Sequence, residues 1–238
     1  KSNGLGPVNW NEFEKLCAKN RANGEILYGD LRHGHTFQQM VDLRGYEDLL
    51  CDMVDEEPLL DDLVEKLEAF NMAQIKHFLK ADVDVVRIPE DLGMQTGPMI
   101  DYQNFVKYIK PSYQRLLKPV REAGKIIHMH SDGNLHVLID EIIDGGVDII
   151  NLQDLVNGID WIAGKFRGRV CVDLDIDRQS VTPYGTPEQI DTLIREEVEK
   201  VGCREGGLMM IYGLYPGVPV ENVRAVMDAM ERYAFYYR

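Results

Sequence analysis

Cysteine is scarce in this sequence, and none of it is paired. Cys17, Cys51, Cys171 and Cys203 are scattered and no C-x-x-C occurs, which speaks against a disulfide framework or a zinc ribbon and for free thiols in a reducing cytoplasm. Basic charge is also short. Lys and Arg total 26 against 40 Asp and Glu, a formal net charge of −14. Phosphate backbones and anionic bilayers both reward a basic patch, so neither nucleic acid nor a membrane surface is an expected partner. No apolar run reaches membrane-spanning length, and no leader-like segment opens the chain. Lys1 rather than Met stands first, so a preceding segment is expected. What is present suffices for a core: 238 residues, 45% hydrophobic, can bury one full domain over 1–238.

Apolar periodicity alternates between short runs and helical stripes. Glu25–Tyr28 reads as a short strand ending in Gly29-Asp30-Leu31-Arg32-His33-Gly34-His35, whereas Lys1–Ala22 has no clear role. A helix spans Gly45–Glu56, and Pro58 suits the first turn of a longer one. Its stripe is Leu60, Leu63, Val64, Leu67 and Phe70 or Asn71, out to about Lys80. Asp84–Pro89 follows as a strand and 90–98 as a loop, then a helix from about Tyr102 to Ala123 that Pro111 divides. After Lys125-Ile126-Ile127 comes His128-Met129-His130-Ser131-Asp132-Gly133-Asn134, then a stripe of Leu135, Leu138, Ile139, Ile142 and Ile143. Further strands are Asp148–Leu152, Arg169–Asp175 and Leu208–Tyr212. The helices between and after them run from Ile159 to Phe166, from Thr186-Pro187-Glu188 onward, and from Pro219. Ile190, Leu193, Ile194, Val198 and Val201 form the buried side of the second, and Val223, Val226, Met227 and Met230 that of the third.

Six strand-then-helix units with strands this apolar belong to a parallel sheet covered by helices. A doubly wound sheet and a (β/α)8 TIM barrel both fit. No Gly-x-Gly-x-x-Gly turn follows the first strand, which favours the α/β barrel, lacking its N-terminal one or two units in this chain. On an extended strand His128, His130 and Asp132 share a face. Two imidazoles and a carboxylate at a strand end suit metal binding or acid–base work. Alternatively, Asp132 and Asn134 cap the next helix while the histidines make core hydrogen bonds. The other strand ends carry Asp30 with Arg32, His33 and His35; Glu90 and Asp91; Asn151 and Asp154; Asp173, Asp175 and Asp177; Tyr212 and Tyr215. In a barrel these positions meet at the C-terminal rim, where barrel enzymes keep their chemistry. Capping alone needs one small polar residue per loop, so the convergence favours a site at His130 and Asp132. A rim this acidic suits a metal ion or a cationic group better than a polyanion. Arg87, inside a strand, is expected to pair with a buried acid, and Cys171 to be a core residue.

The chain resembles the uroporphyrinogen decarboxylase superfamily, which includes cobalamin-linked methyltransferases. The matching pieces are Asp91-Leu92-Gly93 with Gly97-Pro98-Met99, Phe105–Tyr113 with Lys110-Pro111, and His130-Ser131-Asp132-Gly133-Asn134. Further ones are Gly146-Val147-Asp148 with Asn151, Phe166–Val170, Tyr184–Glu188 and Val218–Asn222, in the family's order over roughly 80–230. The resemblance implies a barrel. The methyltransferase branch binds zinc through a His-x-Cys pair at His130-Ser131-Asp132 and a cysteine after the last strand. Here Asp132 replaces the first thiolate, and Tyr212-Gly213-Leu214-Tyr215 holds none. A zinc site of His130, Asp132 and Glu90 or Asp91 remains chemically reasonable.

On this reading the chain is a cytoplasmic methyltransferase that moves a methyl group between a small molecule and a corrinoid protein. Asp91, His130, Asp132 and Tyr212 carry the chemistry. Asp30, His33, Asn151, Asp175 and Tyr215 contact substrate, and a homodimer is one expected assembly. The alternatives are a cofactor-free uroporphyrinogen decarboxylase of porphyrin biosynthesis and an inactive barrel serving as a binding subunit.

Overall fold

The computed structural model describes residues 8–237. Strands β1 (Tyr28–Asp30), β2 (Val85–Pro89), β3 (Ile126–His130), β4 (Ile149–Gln153), β5 (Cys171–Asp175) and β6 (Leu208–Ile211) alternate with helices. Strand order is chain order, and β1 with β2, β4 with β5 and β5 with β6 run parallel. This is the α/β succession of the (β/α)8 barrel class, with six of its units among the described residues. None of the described helices is long and apolar enough to cross a membrane.

Two compact units divide the chain. The first holds the described residues up to Glu90 together with Ile100–Met129 and Asp140–Val147. Its longest helix, Leu59–Lys80, begins at Pro58 and buries Leu60, Val64, Ile75 and Phe78. Of Phe70 and Asn71, it is Asn71 that faces inward, its amide donating to the His35 carbonyl at 2.8 Å. Two helices go beyond the sequence expectation, Trp10–Ala22 and Phe37–Arg44. The Trp10 ring stacks on His77 at 4.2 Å between centroids, which anchors the first of them by tertiary contact rather than by its own pattern. The helix expected over Tyr102–Ala123 is interrupted by a wide π-turn at Phe105–Ile109 and resumes as Lys110–Glu122. Pro111 has no N–H for the helical ladder, and the irregular turn falls directly before it. Arg87 pairs with Asp30 through two hydrogen bonds of 2.6 and 2.7 Å. Both side chains are nearly half exposed, so this pair is not the buried one expected.

The second unit holds Asp91–Met99, His130–Ile139 and the described residues from Asp148 on. Register pairs Asn151 with Asp173 and Gln153 with Asp175 across β4 and β5, then Asp173 with Met209 and Asp175 with Ile211 across β5 and β6. Because side chains alternate, one face of this sheet carries the polar residues and the other carries buried Ile150, Leu152, Val172 and Leu174. The helix Pro187–Val201 starts from a complete capping box at Thr186 and Gln189, and its expected stripe is buried in full. It packs with the helix Val220–Tyr233 through Ile190, Ile194, Val226 and Ala229. In the latter helix Met227 is exposed and Asn222 faces inward, a one-step rotation from the expected stripe. The stripe expected from Leu135 is helical only over Ile139–Asp144. Gly133 and Asn134 are drawn into the turn described next.

Candidate functional site

Two loops of the second unit meet backbone to backbone. Gly133 has φ +84°, and a Cβ there would lie 2.1 Å from the Gly93 carbonyl carbon, so only glycine allows the approach. Gly93 N–H donates to the Asp132 carbonyl (3.2 Å) and Asn134 N–H to the Met94 carbonyl (2.8 Å). The Ser131 hydroxyl accepts from Leu92 N–H at 2.9 Å. This lacing brings Asp91 beside the end of β3. Its Oδ1 accepts from Asp132 N–H at 3.0 Å and lies 3.3 Å from His130 Nε2, while Asp132 Oδ1 lies 3.9 Å from the same nitrogen.

The neighbours of His130 define its tautomer. Asn151 donates its amide to the Asp173 carbonyl at 2.6 Å, which turns Asn151 Oδ1 toward His130 Nδ1. A carbonyl oxygen only accepts, so Nδ1 carries a proton and Nε2 is the atom presented to the two carboxylates. Burial is the largest single influence on this imidazole and opposes its charge. Together the hydrogen bonds to Asp91 and Asn151 and the charges of Asp132 and Asp91 outweigh burial, and His130 titrates above its ordinary value.

Asp132 is held from its other side by Arg178, whose Nη2 donates to Asp132 Oδ2 at 2.7 Å. Nη1 donates to Asp175 Oδ2, and the guanidinium carbon sits 5.3 Å from the Tyr215 ring centroid, in cation–π contact. Asp132 Oδ1 is buried and accepts no hydrogen bond. Burial pushes the Asp175 carboxyl up to about 6, against the opposing charge of Arg178 and with help from Asp132. Beside this group lies a cavity of about 270 Å³ lined by Gln95, Gln153, Asp175, Arg178, Gln179 and Ser180.

Of the residues expected from sequence, Asp91, His130, Asp132, Asn151, Asp175 and Tyr215 belong to this one constellation of the second unit. The remaining ones are Glu90, Asp30, His33 and Tyr212. Glu90 spends both oxygens within the first unit, where Oε1 accepts from Thr36 N–H (2.8 Å) and Gln38 N–H (3.0 Å) and Oε2 from the Tyr113 hydroxyl. The carboxylates beside His130 are therefore those of Asp91 and Asp132, and the ligand role expected of Glu90 is corrected. Asp30 is tied to Arg87, and His33 is exposed on the loop after β1 in the first unit. Tyr212 packs against the apolar cluster of Ile176, Ile190, Ile194 and Val226. It follows Met210 at the strand's period of two, on the face opposite Asp173 and Asp175, so its expected catalytic role is also corrected. Arg178 is the residue that sequence reasoning missed. Its one signal is that no other Lys or Arg occurs between Arg169 and Arg195, a stretch that includes Asp173, Asp175 and Asp177.

His130 Nε2 and Asp91 Oδ1 stand at a spacing that two ligands of a divalent ion of the zinc type would have. Ligand atoms bound at about 2.1 Å in a tetrahedron stand roughly 3.4 Å apart, as His130 Nε2 and Asp91 Oδ1 do at 3.3 Å, whereas Asp132 Oδ1 lies farther off at 3.9 Å. The unpartnered Asp132 Oδ1 is the kind of buried atom that a cation satisfies.

Uroporphyrinogen decarboxylase of Pongo abelii is 23% identical over 184 residues, 74% of this chain and 47% of its own length. That of a Thermus thermophilus strain is 26% identical over 188 residues, 76% and 51%. The chain thus spans about half the length of the curated relatives it matches. Among solved structures, a methyltransferase from Methanosarcina mazei superposes with a TM-score of 0.67 at 16% identity, over 92% of this chain and 63% of that one. A B12-independent methionine synthase from Shewanella gives 0.59 at 11%, over 95% and 65%. At such identities the two structures speak for the fold alone. The family model described as "Uroporphyrinogen decarboxylase (URO-D)" matches residues 35–233, most of the chain, and the chain belongs to the uroporphyrinogen decarboxylase family.

Proposed function

We propose that this barrel enzyme transfers a methyl group between a small molecule and a corrinoid carried by a partner protein, with a divalent metal held by His130, Asp132 and Asp91. The observation that carries the reading is the pairing of an oriented His130 Nε2 with a buried Asp132 Oδ1 that accepts no hydrogen bond. When bound, the metal would supply Lewis acidity toward a methoxy or thiol group while the corrinoid accepts or donates the methyl. The chain's own residues do the positioning. Asn151 keeps the Nδ1 proton of His130 in place, so that Nε2 stays directed at the carboxylates. Arg178 holds Oδ2 of Asp132, which leaves Oδ1 aimed back toward His130.

The test is metal content of protein purified without added metal, for wild type, His130→Ala and Asp132→Asn. A stoichiometric divalent ion in the wild type, lost in both variants, is expected. A wild type that neither carries nor takes up stoichiometric metal overturns the metal reading. The names of the curated relatives favour uroporphyrinogen decarboxylation as the second reading, with Asp91 as the strand-end acid facing the substrate. Consumption of uroporphyrinogen without transfer from a methylated corrinoid protein would select it, and the reverse outcome the methyltransferase.

A further inference from the structure

The helix Pro187–Val201 buries a carboxyl within its apolar stripe. Glu197 has no exposed surface, and neither of its oxygens meets a hydrogen-bond donor. The side chain that faces it is another acid, Asp154, itself 2% exposed. Each Asp154 oxygen accepts one backbone N–H, Oδ1 from Leu155 and Oδ2 from Asp177 at 2.7 Å, and keeps a lone pair for a further donor. The charged groups that act most on Glu197 are Asp154 at the end of β4, Asp177 in the loop after β5 and Glu196 on its own helix, all acidic.

Two buried carboxylates in contact repel, so the pair needs one shared proton. Backbone donors stabilise the anion on Asp154, which assigns the proton to Glu197. Burial, reinforced by Asp154 and Asp177, pushes the Glu197 carboxyl well above its ordinary range in agreement with that assignment.

The contacts continue toward the site. Asp177, anchored through its N–H on Asp154, accepts in turn from the backbone N–H groups of Ser180 (3.1 Å), Val181 (2.6 Å) and Thr182 (3.2 Å). The next residue is Arg178, whose guanidinium joins Asp132 to Asp175. We propose that Glu197 is a positioning residue: as a neutral acid it donates a hydrogen bond to Asp154, and through Asp154 and Asp177 it sets the loop that holds Arg178 against Asp132. The role is the same whichever reaction the site performs.

Glu197→Gln keeps a donor toward Asp154 and removes the titration, whereas Glu197→Ala removes both. The readout is the amide hydrogen-exchange protection of residues 177–182 as a function of pH, in the intact chain. The wild type should be protected through the acidic and neutral range and lose protection as pH rises through the Glu197 titration, where the pair becomes two anions. Glu197→Gln should hold wild-type protection at neutral pH and show no alkaline loss. Glu197→Ala should exchange these amides about tenfold faster or more at every pH. The proposal is overturned if Glu197→Gln exchanges as fast as Glu197→Ala, or if it shares the wild-type pH profile. Should the alanine variant not fold, wild type against the glutamine variant decides by itself.

Discussion

Glu90 and Asp91 are neighbours in sequence, and replacing Glu90 separates a structural role from a ligand role. Its carboxylate is fully buried and receives two backbone N–H groups and the Tyr113 hydroxyl. Each such bond to a charged acceptor is worth about 1.5–3 kcal/mol net, and removing one partner of a buried network costs about 3–5 kcal/mol, because the donors left behind stay buried. Glu90→Leu should therefore lower unfolding free energy by roughly 3–5 kcal/mol. Glu90→Gln should cost only about 1–2 kcal/mol, since its oxygen can still accept from Thr36 and Gln38 N–H while the Tyr113 hydroxyl turns to accept from the new amide. Urea unfolding followed through Trp10, which stacks on His77 in the same unit, measures both. Metal content of the folded Gln variant should equal that of the wild type. Loss of metal in Glu90→Gln at unchanged stability would refute the reasoning and restore Glu90 as a ligand.

Further outcomes follow from the second unit. Asn151→Leu removes the acceptor on His130 Nδ1, so the imidazole should titrate lower than in the wild type, measured on its ring protons by NMR. An unchanged titration would mean that Asn151 does not define the tautomer. Gly133→Ala would push a methyl into the Gly93 backbone at φ +84°, and it should destabilise the 91–94 and 130–134 loops by several kcal/mol. Native-like thermal stability would contradict the close approach. Asp175 titrates near 6 when folded against an ordinary 3.8. Its proton therefore favours the folded state below the ordinary value, and that stabilisation is lost as pH rises toward and through 6. The displacement corresponds to about 3 kcal/mol before screening. Asp175→Asn should flatten the fall in stability between pH 4 and 7, and a variant that keeps the wild-type slope would exclude Asp175 as its source.

The local elements were legible where a residue's own neighbours decide its structure. The cap at Thr186, the proline before Leu59, the alternation on β4 and β5 and the stripe from Ile190 to Val201 depend on side chains a few positions apart. The helix Trp10–Ala22 was not legible, because its anchor is a ring stack on His77, distant in sequence. The resemblance to a family, and the convergence of polar strand ends, pointed to Asp91, His130, Asp132, Asn151, Asp175 and Tyr215 without showing how they bond.

By itself the sequence determined the β/α alternation and the acidic strand ends, His130 and Asp132 among them. These follow from periodicity and from where each strand stops, which are local properties. Tertiary structure alone decided that Asp91 rather than Glu90 meets His130, since Glu90 is claimed by Thr36, Gln38 and Tyr113. It decided that Arg178 bridges Asp132 and Asp175, and that Glu197 sits in the core against Asp154. The reason is physical. A pattern states which way a side chain faces, but whether a charge is paired, protonated or left open depends on groups brought in from distant parts of the chain.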